Sequence, residues 1–380
     1  MKKNLRMAVT AALTLGVVSL GGVQAFAADE DRTADEHMLG ETVVTATRTP
    51  NKELKANANI TVITGKDIER RHYTDLTQAL RDVPGVTVNQ YGPAGYNNSN
   101  NIYINGSSDV VILVDGVRQN YAGGSGASLA SALKDLSGID RIEVLHGSAS
   151  TLYGSDAKGG VINIITKKAQ KVKTTLGVGY GSYGRQLYSI ANEGAAAGWD
   201  WRIKYQKDKS SDFKDAHGNK IPSELDADSV NLHLGKALSK ASYLALNFRS
   251  YKDSDQYQAR HEMAYPANKG NYDHFDGSLV WNVQIDDTMK NQMSVSRSKY
   301  DYDLLTFGAW SPPTGDPYNF SVWTWKFSDQ FDKKLGDHLV TAGFDFTKDN
   351  TEIKGSVDDR TIINRSFYLQ DQWSILSTLK

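Results

Sequence analysis

The sequence contains no cysteine, only 8 prolines and no excess of charge of either sign. Without cysteine, disulfide frameworks, thiolate metal sites and cysteine nucleophiles are all excluded. The 43 lysines and arginines nearly balance the 44 aspartates and glutamates, so no basic surface favours nucleic-acid binding. After the N-terminal segment, no apolar run approaches the roughly 18 residues that a membrane-spanning helix requires. These absences argue against a helical membrane protein.

Glycine and aromatic residues, in contrast, are plentiful. The 380 residues include 33 glycines, 19 tyrosines and 7 tryptophans, and only 39% of the chain is hydrophobic. This composition is typical of a chain of β-strands, which can also lie in a lipid bilayer.

The N-terminus has the three parts of a secretory signal peptide. Basic residues at positions 2, 3 and 6 precede an apolar stretch over 7–20, and Ala-Phe-Ala at 25–27 supplies a small-residue cleavage pattern. Glycine and hydroxyl residues interrupt the apolar stretch, which disfavours the alternative of an uncleaved membrane anchor. We therefore predict a signal peptide over 1–27 and export from the cytoplasm.

Residues 28–50 form a second predicted segment. An acidic, aperiodic stretch over 28–40 precedes a short β-prone run, Glu41-Thr42-Val43-Val44-Thr45-Ala46. Such a run can add as a strand to the edge of a partner's sheet, or it can be an edge strand of the next domain. Both interpretations stay open at this point.

Residues 51–168 predict a compact α/β domain. A turn is expected at Gly65, and a helix that begins at Asp75 should stop at Pro84, because proline cannot continue it. The run 110–114 is apolar on both faces, as a central strand requires. Further strands are expected at 60–63, 86–88, 139–145 and 161–165, and a second helix at 129–136.

Residues 169–380 alternate between apolar and polar side chains. From Trp199 to Tyr205 the odd positions are apolar or aromatic, and the even positions are polar or charged. The same period recurs at 230–235, 244–249, 279–285 and 340–346. Alternating segments of about ten residues, separated by short and long connections, are typical of a transmembrane β-barrel. A soluble β-sandwich also alternates, but charges on the polar face and aromatic residues at segment ends favour the barrel.

Three stretches in the correct order resemble TonB-dependent outer-membrane receptors. Residues 41–46 are similar to the TonB box of that family, 75–86 to the opening of its plug domain, and 139–167 to its signature around Tyr-Gly and Gly-Gly-x-Ile-Asn-Ile. The resemblance implies a plug inside a barrel of about 22 strands, in the outer membrane of a diderm bacterium. It implies import of a scarce metal chelate, with TonB and the ExbB/ExbD energising complex as partners and outer-membrane lipid as the surroundings.

The resemblance also implies ligand contacts at the apex of the plug. The loop 115–126 is similar to that of cobalamin receptors, whereas tyrosines at the apex would suit a catecholate or another aromatic siderophore. The apex residues implied by position are Ser99, Asn101, Ser107, Gly124 and Ser125, and the apex tyrosines are Tyr91, Tyr96 and Tyr121.

The chain departs from the family pattern at three positions in the plug. The family often has arginine where this chain has Asn105 and His146, and proline where it has Ser148. Because those arginines usually join ionic contacts between plug and barrel, their absence argues against the usual ionic attachment of the plug.

The length of the second domain predicts a partial barrel. At roughly 20 residues for a strand and its connection, residues 171–380 supply about ten strands. An eight-stranded barrel is filled by its own side chains, so about ten strands cannot enclose a plug. We therefore expect a mainly β chain, with an α/β plug followed by about ten antiparallel strands of the 22 or so that a full barrel has. The chain would then be a truncated gene product or a fragment.

No metalloprotease, P-loop or hydrolase motif occurs in the sequence, so neither enzymatic activity nor a resident cofactor is expected. Calcium is the exception, since it binds carboxylate oxygens such as those expected in two long polar loops, 207–228 and 252–275. The candidate ligands are Asp226, Asp228, Asp253 and Asp255. Two other functions stay open, a passive porin-like channel and a truncated receptor without function.

Overall fold

The computed structural model describes residues 42–43, 48, 51–52, 59–89, 101–120, 136, 138–257, 268–307, 314–353 and 357–374. The predicted signal peptide over 1–27, the acidic stretch over 28–40 and nearly all of the predicted helix over 129–136 lie outside these residues.

The predicted α/β domain, called the plug below, is built on a five-stranded sheet. The strands in spatial order are β3 (Asn59–Thr64), β8 (Ile139–His146), β9 (Gly160–Thr166), β6 (Val110–Val114) and β7 (Val117–Arg118). Strands β6 and β9 run parallel, and the other neighbours are antiparallel. Residues 110–113 of β6 are buried, which confirms the central strand predicted from its apolar faces. Two short hairpins complete the strands of this domain: β1 (Thr42–Val43) with β2 (Asn51–Lys52), and β4 (Val86–Asn89) with β5 (Asn101–Ile104).

Short helices pack on this sheet: α1 (Gly65–Arg71), α2 (Leu76–Leu80), α3 (Ser150–Tyr153) and a 3₁₀ turn at Ser155–Ala157. The predicted turn at Gly65 is wrong, because Thr64 and Asp67 form a capping box that starts α1 there. Asp75 caps α2 as predicted, with its carboxylate accepting from the Gln78 amide at 3.0 Å. In the part of the chain that the structure describes, no helix has the length and apolar character needed to cross a membrane.

A ten-stranded antiparallel sheet, called the wall below, follows the plug in strict chain order. Its strands are β10 (Lys173–Gly181), β11 (Arg185–Ala196), β12 (Trp199–Ser210), β15 (Leu225–Ser239), β16 (Ser242–Tyr257), β17 (Asn268–Asp286), β18 (Met289–Thr306), β19 (Asp316–Leu335), β20 (His338–Ile353) and β21 (Val357–Trp373). A small hairpin, β13 (Phe213–Lys214) with β14 (Lys220–Ile221), lies in the connection between β12 and β15. The predicted order of a plug followed by about ten antiparallel strands is confirmed.

The two faces of the wall differ as the alternation predicts. On β17, Leu279 and Trp281 are exposed, whereas Asp276 and Ser278 are buried on the opposite face. Register pairs Ser278 with Asn247 on β16, so polar side chains of neighbouring strands share the buried face. The polar face is therefore turned toward the plug, and the apolar face forms the outside of the wall.

The wall strands are longer than predicted, with up to 20 residues in β19. The polar loops expected at 207–228 and 252–275 are strand over much of their length, since β15 begins at Leu225 and β17 at Asn268. Beyond the apolar band both faces of a strand are polar, so the alternation in hydrophobicity disappears while backbone pairing continues.

Candidate functional site at the plug and its attachment to the wall

The run predicted as a TonB box is seen at two of its six positions. Thr42 and Val43 form β1 and pair with Lys52 and Asn51 of β2, so this part of the run is a local edge strand. Glu41, Val44, Thr45 and Ala46 lie outside the described residues. Pairing with a partner would require the backbone groups of Thr42 and Val43 to leave β2 and pair with another strand.

Arg48, which closely follows this run, links the N-terminal segment to the plug and to the wall. Its guanidinium lies 3.1 Å from the Asp345 carboxylate on β20 and also donates to the Leu152 carbonyl of the plug. Its centre lies 4.7 Å from the ring of Tyr153 in the plug and 4.2 Å from the ring of Tyr368 in the wall. A planar cation between two rings and a carboxylate is a geometry that arginine provides and lysine does not.

The surroundings of Arg48 reinforce this attachment. The Gln330 amide of β19 donates to the Arg48 carbonyl at 3.1 Å, and the Ser328 hydroxyl donates to Asp345 at 2.6 Å. Burial raises the pKa of the Tyr153 hydroxyl, so this ring stays neutral beside the cation. Movement of the N-terminal segment away from the wall must break these contacts together.

Lys326 on β19 provides a second attachment. Its ammonium donates to the Arg118 carbonyl at 2.8 Å and to the Asn120 carbonyl at 2.6 Å. The Asn120 side chain in turn accepts from the Ile112 amide at 2.8 Å and donates to the Val110 carbonyl at 2.9 Å. The lysine of the wall is thereby connected to the central strand of the plug. A cleft of about 780 Å³ lies between plug and wall, and both Arg48 and Lys326 line it.

Arg202 on β12 provides a third attachment, next to the start of β8 and the end of β9. Its guanidinium donates to the carbonyls of Gly138 and Lys167, both at 3.0 Å, and to the Glu193 carboxylate at 2.9 Å. Gly138 has a positive φ of 72°, and a Cβ atom there would lie 2.4 Å from the guanidinium. Glycine is therefore required at this position by both backbone and space.

Replacing Gly138 by alanine is expected to displace Arg202 and to lower the free energy of unfolding of the plug by about 3 kcal/mol, since two charge-assisted hydrogen bonds and a left-handed backbone are affected. Chemical denaturation in detergent measures this change. Gly106→Ala is the matched control, because Gly106 has a similar φ of 80° and no atom within 4 Å of the added Cβ. Equal destabilisation by the two substitutions would contradict a structural role for the Arg202 contacts.

The three positions that depart from the family pattern are engaged within the plug. His146 bonds to the Thr61 hydroxyl at 3.0 Å, and Ser148 bonds to Ser150 at 3.2 Å. The backbone N–H of Asn105 donates to the Gly85 carbonyl at 2.8 Å. The contacts described above run from wall cations to backbone carbonyls of the plug and from Arg48 to Asp345, and none of the three positions takes part in them.

Most of the predicted apex residues lie outside the described residues: Tyr91, Tyr96, Ser99, Tyr121, Gly124 and Ser125. Asn101 begins β5, and Ser107 closes the turn after that strand, where its hydroxyl accepts from the Asp109 amide at 3.3 Å. The strand ends at His146 and Gly160 meet at the same end of the plug sheet as Val110. The role of the eight predicted apex residues in ligand binding stays a prediction.

The prediction that four aspartates share two loops is wrong, because all four lie in strands. Asp226 and Asp228 on β15 face outward, where both contact Lys207. Asp253 and Asp255 on β16 are buried on the inner face. Among the residues that the structure describes, no three metal-binding side chains converge on one point. The two pairs of carboxylates thus lie on opposite faces of the wall, and calcium binding stays a prediction.

Residues 52–161 match the family model of the TonB-dependent Receptor Plug Domain, which lies within the predicted plug over 51–168. The chain is 29% identical over 391 residues to the iron-regulated outer membrane virulence protein of Vibrio cholerae, covering 97% of this chain and 56% of that protein.

Two solved structures share this fold. The ferric-catecholate import receptor Fiu of E. coli K12 matches with a TM-score of 0.67 at 17% identity, over 86% of this chain and 58% of the receptor. The ferripyoverdine receptor of Pseudomonas aeruginosa matches with a TM-score of 0.72 at 16% identity, over 90% of this chain and 53% of the receptor. The chain thus spans little more than half the length of the relatives it matches.

The matched plug sequence, the plug fold and the ten antiparallel strands agree with one another. Residues 52–161 thus form a TonB-dependent receptor plug domain, and the wall that follows has the fold of part of an outer-membrane β-barrel.

Proposed function

We propose that the intact receptor imports an iron chelate across the outer membrane by displacing its plug under a pull from the periplasm. The observation that carries this proposal is the position of Arg48. It closely follows the predicted TonB box and is bound to both plug and wall, so a force on residues 41–46 reaches a contact that holds the two domains together.

The proposed mechanism is mechanical. Folded plug residues occupy the polar side of the wall, and a lumen blocked by a folded domain passes a bulky ligand only when work is done on that domain. Since the outer membrane has no supply of ATP, we propose that TonB, with ExbB and ExbD, transmits the energy. Strand addition of TonB to residues 41–46 would compete with the pairing of β1 with β2.

An iron–siderophore complex is the ligand that the comparisons favour over cobalamin. The curated relative is named as iron-regulated, and the two solved relatives are named for ferric catecholate and ferripyoverdine. Growth of an iron-limited strain carrying the intact gene, supplied with single siderophores, haem or cobalamin, tests the ligand. Growth support by cobalamin alone, with no iron source taken up, would overturn this assignment.

The proposed function is transport and not catalysis. A passive porin is the alternative to test. We expect the intact receptor to conduct almost no ions in a planar bilayer and the variant without residues 41–168 to conduct strongly, since a wide lumen is closed only by its plug. Single-channel recording measures both. Equal conductance of the two proteins would favour the porin. The plug-deleted variant needs a matched check that it inserts, such as heat-dependent migration in gels.

A further inference from the structure

The outer surface of the wall carries a group of cations that lie over aromatic rings. The Arg297 guanidinium lies 5.2 Å from the ring of Trp325, and the Lys348 ammonium lies 5.7 Å from the ring of Trp323. The Arg365 guanidinium lies 5.8 Å from the ring of Phe346. We call Arg297, Lys348 and Arg365 the basic patch.

Strand register places the basic patch on one small area. Arg297 on β18 is paired with Trp325 on β19, which is paired with Lys348 on β20. Two strand spacings separate the two cations, which is about 10 Å. Arg365 on β21 is paired with Phe346, two residues from Lys348 on the same face. Arg297 and Arg365 are three strand spacings and two residues apart, about 16 Å, so the three positive charges lie within reach of two neighbouring anionic groups.

Protein carboxylates do not neutralise this charge in the part of the chain that the structure describes. Two lysines elsewhere on the outer surface are matched by carboxylates: Lys207 contacts Asp228 at 2.8 Å, and Lys209 contacts Asp226 at 3.0 Å. Among the described residues, no carboxylate lies within 4.0 Å of a basic-patch cation. On the same strands Lys299 is paired with Asp301, so the basic patch is distinguished by three cations that lack a described carboxylate partner and not by the net charge of the surface around it.

The basic patch lies at the level of lipid head groups. Between His338 and Lys348 on β20, the outward residues Val340, Phe344 and Phe346 are apolar, and His338 stacks on Trp373 at the lower end. Ten residues of a strand tilted by about 40° rise about 25 Å, which matches the apolar band of an outer-membrane barrel. Aromatic residues beside cations at such a boundary are typical of the membrane interface.

The connections identify the leaflet. His338 follows the two-residue turn 336–337, and comparable short turns join β15 to β16 and β17 to β18 at the same end of the wall. In these barrels short turns lie in the periplasm and longer loops lie outside the cell. The basic patch is at the opposite end of the strands, and therefore faces the outer leaflet.

We propose that the basic patch binds a phosphorylated lipid head group of the outer leaflet. Arginine forks bind phosphate oxygens in pairs, and a lysine adds a third charge-assisted bond. The tryptophan rings beneath the cations fix the direction of these side chains and present an apolar surface to the acyl chains. This inference goes beyond ligand import, and it holds whether or not the proposed transport activity is correct.

Lipid binding to the purified full chain in a neutral detergent tests the proposal. Native mass spectrometry counts bound bisphosphorylated lipid A, the same lipid after removal of its phosphates, and inorganic phosphate. The test variant combines Arg297→Gln, Lys348→Gln and Arg365→Gln. The matched control combines Lys207→Gln, Lys209→Gln and Lys252→Gln, which removes the same charge from outward lysines that are paired with carboxylates. Circular dichroism checks that both variants keep the strand content of the wild type.

We expect the wild type to retain the bisphosphorylated lipid, and the test variant to bind it about a hundredfold more weakly, at roughly fivefold for each cation removed. The control variant should bind within about threefold of the wild type. Equal binding by wild type and test variant overturns the proposal, as does equal binding of the dephosphorylated lipid. Inorganic phosphate binding as tightly as the lipid would show an ion site and would overturn the lipid assignment.

Discussion

Replacing Val43 by proline is expected to reduce ligand uptake to background while leaving ligand binding at the cell surface unchanged. Val43 of β1 pairs with Asn51 of β2, and it lies in the run that we propose to pair with TonB. Proline has no backbone N–H and cannot complete a strand ladder, so strand addition by a partner is lost. Uptake and binding of radiolabelled iron chelate by whole cells measure the two effects separately.

The matched control for this substitution is Val43→Thr, which keeps a β-branched side chain and the backbone N–H. It should retain most of the uptake. If proline at Val43 reduces binding and uptake to the same extent, the run serves the fold of the receptor and not its energisation. Val44→Pro, one position further along the same run, should repeat the loss of uptake.

Replacing Arg48 by alanine is expected to release the N-terminal segment from the wall without any ligand. The substitution removes the ion pair with Asp345, the hydrogen bond to Leu152 and both aromatic contacts. Loss of one partner from a partly buried pair costs about 3 kcal/mol or more, so the released state should become at least about a hundredfold more populated. Because the chain has no cysteine, a single Thr42→Cys label reports on this release alone.

The rate of maleimide labelling at that cysteine is the measurement, and two further variants sharpen it. Arg48→Lys should be intermediate, because lysine keeps the charge but loses the planar fork. Arg70→Ala is the control, since Arg70 is an exposed arginine of the plug that pairs with Asp67. Labelling at the same rate in all four backgrounds would show that Arg48 does not hold the segment in place.

Much of the fold could be predicted from the sequence because it repeats over many residues. The alternation around Trp199–Tyr205 identified the two faces of the wall, and the apolar run 110–114 identified the central plug strand. The ends of the wall strands could not be predicted in this way. Past the apolar band, pairs such as Lys252 with Asp273 hold strand to strand through polar side chains, and hydrophobicity no longer marks the element.

The attachments of the plug were missed for a different physical reason. Lys326 and Arg202 bind backbone carbonyls, which every residue carries, so the acceptors have no signature in the sequence. The donors were visible only as polar positions on the inner face. Arg48 had a stronger signal, a lone arginine directly after a β-prone run, but its partner Asp345 is 297 residues away.

Attachment through main-chain oxygens also bears on how such receptors diverge. A wall cation that binds carbonyl groups tolerates side-chain replacement at Lys167 and Arg118. Gly138 is fixed by its backbone, and Asn120 is fixed by its side-chain bonds to β6. The sequence of the plug can then change at positions such as Lys167 and Arg118 without matching changes in the wall. A hybrid that combines the plug of a distant homologue with this wall should consequently assemble, provided that Gly138 and Asn120 are kept.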